Sequence, residues 1–130
     1  MRKRSLFWLL LGGLLVSGIF TSQAMAAVFH VTNATEFQAA LNAAASNGED
    51  DIIYLAAGTY AGNFTYHPPD TEHRALTIQG EPGTSAEDVI LDGQNSGTVL
   101  NVHDTSQGPI AELGMTGITV QNGNALYRGG

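Results

Sequence analysis

Two hydrophobic periods divide the chain. Phe37, Ala40, Leu41 and Ala44 fall at i, i+3, i+4 and i+7, the stripe of a short amphipathic helix. Asn33 can cap its free N–H groups while Glu36 reaches back to the cap in a capping box, and Ser46-Asn47-Gly48 supplies a left-handed stop. A helix this short is marginal alone in water, so its apolar stripe must be pressed against a larger core. After the acidic turn Glu49-Asp50-Asp51 the period changes from helical to alternating. Leu76 and Ile78 are set against Thr77 and Gln79, and Ile118 and Val120 against Thr119 and Gln121. Read this way, residues 52–55, 63–66, 76–79, 89–92, 99–102, 110–113 and 118–121 are seven strands following one helix. The strands at Ile52, Val89 and Ile118 are matched to one another, with two more between each pair.

The connections contain no further helix, which argues against a doubly wound sheet, and the spacing is too irregular for a propeller. They are also too long and variable for a sandwich of tight hairpins. Three strands per turn of a coil fits best.

A third apolar stretch, Leu6 to Phe20, has a different character. It follows Arg2-Lys3-Arg4 and precedes Ala24-Met25-Ala26, the three regions of an export signal, so residues 1–26 are read as a cleaved leader and residues 27–130 as one small domain. With glycines at 12, 13 and 18, the stretch is short of the roughly 20 apolar residues a membrane-spanning helix needs. No stable span is expected after cleavage.

Removing the leader leaves Arg74 and Arg128 as the fixed positive charges against twelve acidic residues, which excludes nucleic acid as a partner. Polyanionic sugars meet the same repulsion unless divalent cations bridge them. The chain has no cysteine, so stability rests on packing and hydrogen bonds alone. Asn33 and Asn63 each open an Asn-x-Thr triplet, a pattern frequent by chance.

"TEFQAALNAAA", "DDIIYLAAGTYAGNFTY", "ALTIQGEPG", "VILDGQNSGTVLNV" and "MTGITVQNGNA" follow one another in that order. In this order the chain resembles the N-terminal part of an exported right-handed parallel β-helix protein. That fold, known as pectin lyase-like, is shared by pectate and pectin lyases, rhamnogalacturonases and tailspikes. The resemblance implies an all-β solenoid with an N-terminal capping helix, turn residues with positive φ, and an asparagine ladder running through Asn122. It also implies further coils beyond residue 130, which makes this chain a fragment. The function implied is a secreted or cell-surface scaffold, or a periplasmic one, that contacts polysaccharide or another surface. The alternative is a polysaccharide lyase or hydrolase whose catalytic coils lie beyond residue 130.

By the same analogy Asp88, Asp92 and Asp104 are the candidate Ca²⁺ ligands, with Arg74 or Arg128 as the nearby cation. Each aspartate also stands where it can satisfy its own turn, and Ca²⁺ needs six to eight oxygens. No cofactor is required on this reading. Phe29, Tyr54, Tyr60, Phe64 and Tyr66 could supply a sugar-stacking platform or fill the core beneath the cap. Phe29 and Phe64 are assigned to the core, and Tyr60 and Tyr66 are left open between the two roles. The histidines at 30, 67, 73 and 103 show no metal-ligand spacing, and the loop "HPPDTEH" reads as solvated. No G-x-S-x-G elbow is present, so nucleophilic catalysis is unsupported, and no catalytic residue is assigned in this chain.

Overall fold

The computed structural model describes residues 25–71, 73–103 and 112–124. Residues 1–24, Asp104 and Arg128 therefore lie outside the described residues.

The elements are β1 (Ala27–Val31), α1 (Ala34–Ala44), β2 (Asp51–Leu55), β3 (Gly58–Ala61), β4 (Phe64–Tyr66), β5 (Ala75–Gly80), β6 (Val89–Asp92), β7 (Leu100–Val102), β8 (Glu112–Thr116) and β9 (Thr119–Gln121). The protein is mostly β, with one helix and three parallel sheets ordered β1-β2-β5-β8, β3-β6-β9 and β4-β7. From β2 onward the chain visits the three sheets in rotation, and each strand pairs in parallel with the strand three later.

Two strands were not legible. β1 precedes the helix, and β3, "GTYA", carries Tyr60 as its only large apolar residue. Missing β3 shifts the correspondence. The strand at Ile52 pairs with the one at Leu76, while Val89 and Ile118 belong to the sheet that β3 begins. Toward the C-terminus, β8 runs from Glu112 to Thr116, later than the 110–113 expected.

Parallel register stacks one residue per circuit into columns. Phe29, Ile53, Ile78 and Met115 form one inward column, and Tyr60, Leu91 and Val120 another. Ile53, Ile78 and Leu91 are fully buried, with strands on both sides, and Tyr60, on the edge strand β3, is fully buried beneath α1. At the end of the columns Met115 is 40% exposed and Val120 53%. With Val99, Leu100, Val102 and Leu113 they line an apolar concavity of about 430 Å³.

The opposite end is closed by α1, which packs on β1, β2, β3 and β4. All four residues of its stripe are buried, as the period requires. Phe37 meets Phe64 edge-on at 4.7 Å between ring centroids and Tyr60 at 6.0 Å. The N-terminal cap differs in one detail from a capping box. Asn33 Oδ1 accepts from the Glu36 N–H at 2.9 Å, but the Glu36 carboxylate passes the cap residue and accepts from the N–H and hydroxyl of Thr32 at 2.8 and 2.9 Å. Gln38 finishes the docking. Its amide nitrogen donates to the Thr65 carbonyl and its oxygen accepts the Thr65 N–H, both at 2.9 Å, which occupies backbone groups on the free edge of β4.

Positive φ occurs in the turns as expected, at Gln94, Asn95 and Asn122, but the motif's own glycine has another reason. A Cβ on Gly93 would stand 2.7 Å from the Asn122 carbonyl oxygen and 2.9 Å from a Val99 methyl. Close approach of the next circuit, not positive φ, requires glycine there. In the turn one circuit later, Asn122 takes φ 52°. Its side chain does reach the previous circuit, though to Asp92 Oδ1 at 3.0 Å and not to another asparagine.

Candidate functional site

Side chains that alternate with the core columns face outward from the β1-β2-β5-β8 sheet. Their register gives two outer columns, Val28-Ile52-Thr77-Gly114 and His30-Tyr54-Gln79-Thr116. Within the second, the His30 and Tyr54 rings stack at 5.1 Å with 14° between their planes. Just beyond β5, Glu81 Oε1 lies 2.6 Å from His30 Nδ1, an ion pair when the imidazole is protonated. The Glu81 N–H donates to the Leu55 carbonyl at 2.9 Å, so the ladder itself fixes where this carboxylate stands.

β1 is the edge strand of its sheet, and His30 borders a groove of about 450 Å³ between β1 and α1. Val28, Phe29, Ala39 and Ala40 give this groove apolar surface, and His30 and Glu36 bring polar groups to it. The N–H and hydroxyl of Thr32 hold the Glu36 carboxyl below its usual range. An apolar floor beside an imidazole and a carboxylate is suited to a ring with one hydrophobic face and peripheral hydroxyls.

The other candidate residues take structural positions. Tyr60 and Tyr66 are buried, so neither ring has a free face for a sugar. The Tyr60 hydroxyl lies 2.9 Å from the carbonyl oxygens of both Val31 and Ala56, which share its one proton, and burial pushes its pKa up. Both tyrosines are therefore core residues beneath the cap, as are Phe64 and, half-buried, Phe29. Of the aromatic residues considered for stacking, Tyr54 is the one set in the outward column.

Asp88 and Asp92 hold turns. Asp88 Oδ2 accepts from the N–H and hydroxyl of Ser85, both at 2.8 Å. Asp92 accepts from the Gln94 N–H at 2.8 Å, the Asn122 amide at 3.0 Å and the Gln121 amide at 3.1 Å. These donors keep both carboxyls below the ordinary aspartate range. Asp104 lies outside the described residues. Among the described residues no group of three or more His, Asp or Glu side chains is placed to hold a metal ion, and no helix is long and apolar enough to cross a membrane.

His30, Glu36 and Glu81 were not singled out from the sequence as site residues. The alternation Val28-His30 was the one local signal; the His30–Glu81 contact joins residues 51 apart and has none. Compared with known proteins, the chain matches no family model, no curated protein and no solved structure.

Proposed function

We propose that the protein is an exported right-handed parallel β-helix protein, and that its outer face serves as a scaffold contacting polysaccharide at a cell surface. The rotation of the chain through three parallel sheets, with a helix across the first circuit, supports the fold; parallel crossovers are right-handed almost without exception. The cationic and apolar leader supports export.

The observation that carries the binding role is the stack of exposed His30 on half-buried Tyr54 beside the β1-α1 groove. With a formal net charge of −7 over the whole chain, the ligand class it favours is a neutral glycan. Co-sedimentation with insoluble neutral polysaccharides tests this. Tyr54→Ala and His30→Ala are expected to weaken retention about 10-fold each, the loss of one stacking contact of roughly 1 kcal/mol or more. Retention unchanged in both variants would remove the site from the proposal.

A further inference from the structure

The ends of β4 and β7 bring together two histidines that sequence spacing keeps apart. Phe64, Thr65 and Tyr66 pair with Leu100, Asn101 and Val102, and the His103 N–H donates to the Tyr66 carbonyl at 3.0 Å, carrying the ladder one residue further. Alternation sends Tyr66 inward, so His67 and His103 fall on the solvent side of adjacent strands. Their ring centroids are 4.6 Å apart with 41° between the planes, and both residues are exposed.

We propose that His67 and His103 form a two-imidazole site for a divalent transition-metal ion of the Cu²⁺ or Ni²⁺ type, with solvent completing the coordination. The separation is the argument. With metal–nitrogen bonds of about 2.0 Å and about 1.1 Å from nitrogen to ring centre, two imidazoles at 90° on one ion place their centroids about 4.4 Å apart; at the tetrahedral angle the figure is about 5.1 Å. The observed 4.6 Å lies nearer the first figure than the second. Cis positions at 90° belong to square-planar and octahedral ions, and imidazole is a favourable ligand for copper and nickel. The backbone need not move, because hydrogen-bonded parallel strands already hold the two Cα positions. The excess of acidic residues raises the local concentration of cations. Neither histidine belongs to the His30-Tyr54 face, so this site stands or falls independently of glycan binding.

The test is calorimetric titration of the untagged full chain with Cu²⁺ and Ni²⁺, Zn²⁺ serving as the tetrahedral comparison. One ion per chain is expected, with affinity falling in the order Cu²⁺, Ni²⁺, Zn²⁺. His67→Ala and His103→Ala should each weaken Cu²⁺ binding by about 100-fold, because a two-point chelate becomes a single contact. His30→Ala and His73→Ala should leave it unchanged. Circular dichroism verifies that the variants fold. In the unmodified chain, substoichiometric Ni²⁺ should broaden the imidazole proton resonances of His67 and His103 before those of His30 and His73. No binding by the unmodified chain, equal affinity in His67→Ala, or first broadening at His30 or His73 would each overturn the site.

Discussion

Phe37→Ala is the sharpest test of how the fold is closed. The ring is fully buried and sits edge-on to Phe64 at 4.7 Å and 63° and to Tyr60 at 6.0 Å and 77°. It is a contact through which α1 grips the first strands of two sheets, β3 and β4. Truncating a buried phenylalanine costs about 3–5 kcal/mol, the lost transfer energy plus the cavity left behind. The upper half of that range applies here. Phe64 and Tyr60 are anchored on strands and cannot collapse into the space, and two aromatic pairs worth about 0.5–1.5 kcal/mol each disappear with the ring. Small domains hold only about 5–15 kcal/mol of stability, so the variant loses a large share of it. At about 4–8 °C per kcal/mol, the melting temperature should fall by roughly 16–40 °C. Urea unfolding followed by far-UV circular dichroism measures the loss directly, with the exposed Thr35→Ala as the reference. A cost for Phe37→Ala under about 1 kcal/mol, the range of surface substitutions, would refute the claim that this helix seals the core.

Further expectations follow from the turns and the cap. Gly93→Ala should destabilise by about 1–3 kcal/mol in the same urea assay, because its methyl meets the Asn122 carbonyl oxygen at 2.7 Å; a neutral substitution would mean the next circuit is not held there. Gln38→Ala should cost about 1 kcal/mol by removing two hydrogen bonds to Thr65, and Gln38→Glu should recover only the bond accepted from the Thr65 N–H. Asp92, Asp88 and Glu36 are all held below their ordinary ranges by donors in the folded state. A depressed folded value contributes stability above the unfolded value of about 4 that is lost as pH falls through the folded one, so melts should be flat from neutral to about pH 5 and drop below pH 4. Asp92→Asn should make that acid limb shallower; an unchanged limb would show that these hydrogen bonds are not linked to folding. Finally, this chain with added Ca²⁺ should release no unsaturated product from polygalacturonate, followed by ultraviolet absorbance, because Asp88 Oδ2 and Asp92 Oδ1 are already engaged by their own turns.

The helix and much of the strand pattern could be read locally, since each depends on neighbours within a few residues. The stripe Phe37-Ala40-Leu41-Ala44 and the cap at Asn33 are such features, and so is the alternation through Leu76-Gln79 and Val89-Asp92. Where apolar side chains are sparse the local signal fails. β3 has only Tyr60 to bury, and its loss from the reading misassigned strands to sheets.

The candidate sites required the register. Which outward residue meets which is set by how the inward columns pack, through pairings such as His30 with Tyr54 and Tyr66 with Val102. Strands lie about 4.8 Å apart whatever the length of the intervening loop, so residues distant in the chain become nearest neighbours. The sequence by itself determined one capped helix, a run of short half-buried strands and an acidic surface. Only the tertiary structure sent Tyr60 and Tyr66 into the core, kept Tyr54 outside against His30, and stood His67 beside His103, because a column of side chains exists only once the circuits are stacked.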